Sequence, residues 1–142
     1  FETFSDPLLK KMNKRFTSRD AGRIIKRAKK AGIRVEANLL VGFPGEEEKD
    51  IDAVITFIRK YRGYIDRINS LNICSIGPGM TVWERPERFN INKEEIDDWY
   101  AWYTADRSNT LAVRERRHQR ICDFIREQQL GLGWQNLKKN PK

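Results

Sequence analysis

Cysteine and histidine are nearly absent from this sequence, and long apolar runs are absent altogether. The two cysteines, Cys74 and Cys122, lie far apart and match no CxxC-type spacing, which excludes a metal knuckle or redox motif built from them and predicts no disulfide. No apolar stretch approaches the roughly 18 residues that a membrane span needs. Nothing resembles a signal peptide, so a reducing, cytoplasmic setting is expected. The single histidine, His118, stands among arginines on a charged helical pattern and reads as exposed and incidental rather than catalytic.

Charge is abundant instead: 28 Lys and Arg against 20 Asp and Glu give a net charge of +8. A basic excess of this size raises the question of a nucleic-acid partner, and its distribution answers it. The cations fall in Lys10 to Arg15, Arg23 to Lys30, Arg59 to Arg62 and Arg114 to Arg120, each beside a helical pattern, which reads as solvated helix faces and argues against nucleic acid. At 142 residues the chain makes one ordinary domain. A complete eight-unit parallel barrel takes about 250 residues, so any barrel reading is of a part.

The elements alternate. Thr17-Ser18-Arg19-Asp20 is a capping-box start for a helix to Ala31, and Gly32 ends it. Ile33 to Val41 begins by alternating and finishes as an apolar run, predicting a strand buried on both faces at its carboxyl end. Gly42-Phe43-Pro44-Gly45 stops the strand, and the acidic run Glu46, Glu47, Glu48 and Asp50 opens a helix carrying Ile51, Val54, Ile55 and Ile58 on one face. Those carboxylates read as helix-end charges. A second strand is predicted within Ile65 to Ile76, ended by Gly77-Pro78-Gly79. Beyond a loop at Thr81 to Ile91, helices are predicted from about Lys93 to Tyr103 and Thr110 to Leu130, after which Gly131 and Gly133 release a polar tail. The order helix, strand, helix, strand is that of parallel α/β structure.

Binding groups of parallel sheets collect at the carboxyl ends of strands. Three places qualify: Phe1 to Ser5, Asn38 to Glu46, and Asn69 to Gly79. The second is the most informative, because Gly42 allows a ligand close to the backbone, although a plain strand-to-helix turn also accounts for it. Trp83, Trp99, Trp102 and Trp134 read as packing residues.

The segment Asn38-Leu39-Leu40-Val41-Gly42-Phe43-Pro44-Gly45-Glu46 resembles the fifth-strand signature of radical S-adenosylmethionine (SAM) enzymes. Phe1-Glu2-Thr3-Phe4-Ser5-Asp6 resembles the fourth-strand motif of that family, with Phe4 where the family has glycine. Ser70-Leu71-Asn72-Ile73-Cys74 and Pro78-Gly79 are similar to the sixth strand of its cobalamin-associated branch. The stretch from Trp99 to Arg117 is similar to the region beyond the barrel in that branch, as in the anaerobic Mg-protoporphyrin IX monomethyl ester cyclases.

The resemblance implies the C-terminal half of a parallel (β/α) TIM-like barrel over residues 1–80 and a helical C-terminal extension over 81–142. It implies SAM contacts from Glu2, Thr3, Ser5, Asn38, Leu40, Val41, Gly42 and Pro44, with Leu40 and Val41 against the adenine and Glu2 paired with the SAM ammonium. Ser70, Asn72 and Cys74 would face a small-molecule substrate. In the parent enzymes a 4Fe-4S cluster held by a CxxxCxxC loop cleaves SAM reductively to a 5′-deoxyadenosyl radical. That loop is absent here, so the expectation is an inactive fragment of an Fe–S oxidoreductase, lacking the N-terminal half of its own chain, with cobalamin in an upstream domain and no metal ligand or assignable catalytic residue of its own. The bare strand edges of such a fragment predict self-association. Two other readings stand beside it: an RNA-binding or tRNA-modifying module, and a structural interaction domain.

Overall fold

A computed structural model describes residues 1–92, 96 and 98–136. Helix α1 (Asp6–Lys11) starts where the Ser5 hydroxyl accepts from the Leu8 N–H, with Pro7 in its first turn. Helix α2 (Ser18–Lys30) begins with the expected capping box: Thr17 Oγ1 accepts from the Asp20 N–H (3.2 Å), and the Asp20 carboxylate accepts from the Thr17 N–H (3.0 Å). Strand β1 (Glu36–Val41), helix α3 (Glu48–Tyr61), strand β2 (Arg67–Ile73), a short α4 (Thr81–Glu84), helix α5 (Leu111–Glu127) and strand β3 (Gly131–Trp134) come next.

The three strands form one parallel sheet in the order β1-β2-β3, so α3 and α5 lie on the crossovers that parallel pairing requires. Residues Ala37, Leu39 and Val41 of β1 and Ile68 and Leu71 of β2 pack against Ile51, Val54 and Ile58 of α3 and Ile121, Phe124 and Ile125 of α5. A second apolar cluster caps the carboxyl ends of the strands, built from Cys74, Ile76, Val82, Ile91 and Trp102.

Several expectations need correction. Both strands are shorter than the apolar runs that announce them, and Ile33, 58% exposed, lies outside β1. Strand β1 alternates to its end instead of being buried on both faces: Ala37, Leu39 and Val41 are buried, Glu36 and Asn38 are exposed and Leu40 is half-buried. Of the helix expected from Lys93, residues 93–95 and 97 lie outside the described residues. Asp98 to Ala101 form a turn in which the Tyr100 N–H donates to Asp98 Oδ1 (2.7 Å), and this bend lets Trp102 bury its ring and donate its indole N–H to the Cys74 carbonyl (3.0 Å).

The expected tail past Gly131 is the third strand. It pairs with β2 in an unshifted register, from Arg67 opposite Gly131 to Ser70 opposite Trp134, which the missing side chain of Gly133 permits, since a Cβ there would overlap the Asn69 carbonyl; the bulge at Asn69 lies in the pairing of β2 with β1. Beyond the strand, the Asn136 side chain continues the pairing: its Oδ1 accepts from the Ile73 N–H (2.7 Å) and its Nδ2 donates to the Ile73 carbonyl (2.9 Å). One edge of β2 expected to be bare is therefore covered. His118 is also corrected. It is fully buried, with Nε2 donating to the Leu71 carbonyl (3.0 Å) and Nδ1 facing Cys122 Sγ (3.5 Å), and burial lowers its pKa, which keeps the ring neutral.

Candidate functional site

The face of the sheet opposite the main helical core is polar. Glu2, Asn38 and Leu40 meet Ser70 and Asn72 around an open cavity of about 490 Å³, which Trp134 of β3 also lines. Phe1 to Ser5 form no strand, but the Leu40 N–H donates to the Glu2 carbonyl (2.8 Å), which holds this segment beside β1 as a neighbouring strand would be. The groove is preorganised. Asn38 Oδ1 accepts from Asn69 Nδ2 (2.9 Å) and Ser70 Oγ (3.0 Å), and Glu2 is tied to Lys14 (2.7 Å). Asn72 Oδ1 is buried with no donor among the described residues, an acceptor whose desolvation a ligand or water hydrogen would offset.

The Gly42 to Glu46 turn is held by side chains from distant segments. Gly42 has φ +88°, and a Cβ there would overlap the Arg114 side chain, so the missing side chain makes room for this arginine of α5 rather than for a ligand. Asn109 Nδ2 donates to the Gly42 (3.0 Å) and Phe43 (3.2 Å) carbonyls, Lys11 Nζ to the Gly45 carbonyl (2.9 Å), and Arg117 to the Glu46 carbonyl (3.0 Å). Glu46 turns back into its own loop, where its Oε1 accepts from the Gly42 N–H (2.8 Å).

Sequence patterning predicts solvated helix faces and helix-end charges for these groups, and the structure buries four of them: Glu46, Asp50, Arg114 and Arg117. Burial raises the Glu46 carboxyl to about 8, against the Gly42 hydrogen bond and the Arg117 guanidinium, which pull the other way. Arg114 donates to the carbonyls of Tyr100 (2.6 Å), Trp102 (2.8 Å) and Asn109 (3.3 Å), and its guanidinium lies 3.9 Å from the centre of the Trp102 ring. Burial lowers it to about 10, so the cation persists at neutral pH. The signal for this network is present in the sequence only as Arg114 and Arg117 at helical spacing, with Asn109 just before the helix, which by itself also fits a solvated face.

Of the residues singled out for SAM and substrate, Glu2, Asn38, Leu40, Ser70 and Asn72 come together in the groove. The others are placed elsewhere. Thr3 and Ser5 are buried, the Ser5 hydroxyl donating to Asp50 at the start of α3, and Val41 belongs to the helical core. Pro44 lines a different cavity, beside Lys11 and Phe89. Cys74 is buried in the second cluster, where desolvation pushes its thiol up to about 12 and leaves it protonated. Phe4, at the position where glycine was expected, stacks on Phe57 with ring centres 3.7 Å apart. Sequence reasoning misses Trp134 as a groove residue, because the strand that carries it reads as tail.

Both cysteines are free, and among the described residues no group of three His, Cys, Asp or Glu is arranged to hold a metal ion. No helix among them is long and apolar enough to cross a membrane.

No family model matches the sequence. Part of the chain is similar to the ribosomal protein uS12 methylthiotransferase RimO of Acetivibrio thermocellus, 44% identical over 59 residues, which cover 40% of this chain and 13% of that protein. It is similar as well to the tRNA-2-methylthio-N(6)-dimethylallyladenosine synthase of Clostridioides difficile, 42% identical over 60 residues, covering 41% of this chain and 13% of the relative. The synthase of that name from Fervidobacterium nodosum is 29% identical over 82 residues, covering 56% of this chain and 18% of the relative. The chain thus spans less than a fifth of the length of these relatives, whose names describe methylthio-modifying enzymes of a ribosomal protein and of a tRNA, and not cyclases of the cobalamin-associated branch.

Proposed function

We propose that this chain contributes part of the SAM and substrate pocket of a radical SAM enzyme, and that its three strands belong to the parallel barrel of the intact protein. The observation that carries the reading is the polar groove, which gathers Glu2, Asn38, Leu40 and Asn72 at one sheet face although they come from three separate segments. Similarity to methylthio-modifying enzymes supports it.

The groove fits SAM in its chemistry. Asn72 Oδ1 is an acceptor awaiting a donor such as a ribose hydroxyl, the Glu2 carboxylate suits an ammonium, and Leu40 gives an apolar edge beside them. These residues bind and orient; none is placed to transfer a proton. A 4Fe-4S cluster does not fit this chain, because Cys74 and Cys122 are buried in separate clusters, and the reading assigns its ligands to a CxxxCxxC loop elsewhere in the intact protein. Nothing in the groove calls for cobalamin, and the relatives' names do not support it. The same names favour a tRNA or a ribosomal protein as the modified partner over the small molecule expected from the sequence.

Titration of the intact protein with S-adenosylhomocysteine tests the reading. Saturable binding is expected, weakened about tenfold by Asn72→Ala, the loss of one buried hydrogen bond to a polar ligand. No binding, or equal binding by the variant, would overturn it.

A further inference from the structure

A second concavity lies on the other side of the Gly42 to Glu46 turn, between the end of α1 and the Thr81 to Asn90 segment. Two adjoining cavities of about 690 and 390 Å³ share Lys11, Arg88 and Phe89 as lining residues. Lys10 joins them from α1, and Phe43 from the turn itself. Among the described residues neither cavity is lined by an Asp or Glu.

Several basic residues around the sheet sit in ion pairs: Lys14 with Glu2, Lys29 with Asp66, Arg117 with Glu46 and Glu48, Arg120 with Glu48 and Asp52. Lys10, Lys11 and Arg88 form no ion pair with any carboxylate among the described residues. The last turn of a helix favours lysine, which accounts for Lys10 and Lys11 in α1. It does not account for Arg88, which reaches the same hollow from a different segment. The hollow also has an apolar floor, where Phe43 and Phe89 meet edge to face with centres 6.0 Å apart and both rings remain partly exposed.

We propose that this hollow is a binding site for a phosphate ester carried on a flat ring, that is, a nucleotide, free or within a single-stranded RNA. Lys10 and Arg88, without an ion pair among the described residues, match phosphate, with Lys11 beside them holding the Gly45 carbonyl (2.9 Å), and half-exposed aromatic rings match a base. The cavity sizes fall in the range of small-ligand sites. The site is separate from the polar groove and does not depend on what that groove binds.

The test uses the intact protein with a short fluorescent single-stranded RNA, AMP and polyglutamate as probes, and the surface variants Lys10→Gln and Arg88→Gln. Each variant is expected to keep the wild-type melting temperature and to weaken binding about tenfold, as loss of one charge-assisted contact does. For RNA, the slope of log affinity against log salt should also fall by about 0.7 for each phosphate contact removed. Loss of both AMP and RNA binding supports a free-nucleotide site, and loss of RNA binding alone supports a strand. The proposal is overturned if neither probe binds, if the variants bind as wild type does, or if polyglutamate binds as tightly and with equal sensitivity. S-adenosylhomocysteine affinity, measured on the same samples, should not change. A parallel loss would merge the hollow with the groove and overturn a separate site, whereas absence of S-adenosylhomocysteine binding beside intact RNA binding would remove only the SAM reading.

Discussion

The side chain of Arg114 occupies the space that a side chain on Gly42 would need. Two positions far apart in sequence are therefore one packing unit, with the loop after β1 and helix α5 unable to move independently. Gly42→Ala combines this overlap with a positive φ and should cost about 3 kcal/mol. Pairing it with Arg114→Ala removes the overlap, so the double variant should lose less than the sum of the two single ones. Thermal melts of all three would show the coupling, and simple additivity would refute it.

Asn109→Ala removes the two hydrogen bonds that hold the Gly42 and Phe43 carbonyls. A loss of about 1 to 2 kcal/mol in denaturant midpoint experiments is expected, since the buried Gly42 carbonyl loses its donor while the Phe43 carbonyl still accepts from the Glu46 N–H (2.9 Å). Asn109→Asp should be no better, because the carboxylate cannot donate.

Glu46 makes stability depend on pH in a direction unusual for a carboxylate. Its folded pKa, about 8, lies above its ordinary 4.5, so the native state holds a proton that the unfolded chain has released. The stabilisation is complete below 4.5 and is lost as pH rises through about 8. Glu46→Gln should flatten the melting temperature across that window, and an unchanged slope would place the titrating group elsewhere.

Gly133→Ala should detach β3 from β2, because the new methyl group meets the Asn69 carbonyl, a backbone atom that cannot swing aside. Faster amide exchange at Ile73, whose N–H is held by Asn136 just past β3, would report it.

Local signals carry the first half of the fold. The capping box at Thr17, the stop at Gly42 and the acidic start of α3 at Glu47, Glu48 and Asp50 each act within a few residues and stand in the structure where the pattern puts them, whereas β2 ends at Ile73, short of Gly77. Pairing decisions are not legible. Gly131-Leu132-Gly133-Trp134 has too little apolar character to announce a strand, and it becomes one because β2, far upstream, offers it an open edge on which Gly133 fits opposite the Asn69 carbonyl. The groove is legible by half: Asn38, Leu40, Ser70 and Asn72 stand out by their positions near strand ends, whereas Trp134 depends on that same pairing. His118, Arg114 and Arg117 escape for a related reason. A polar residue on a helix reads as solvated unless the carbonyls waiting for it, here those of Leu71, Trp102 and Glu46, are known to face it.

The placement of β3 beside β2 has a consequence for the order of assembly. β2 gains its outer neighbour only from residues made long after it, so a growing polypeptide carries an exposed hydrogen-bonding edge until Gly131–Trp134 emerges. During synthesis that interval is when a foreign strand is best able to take the vacant place.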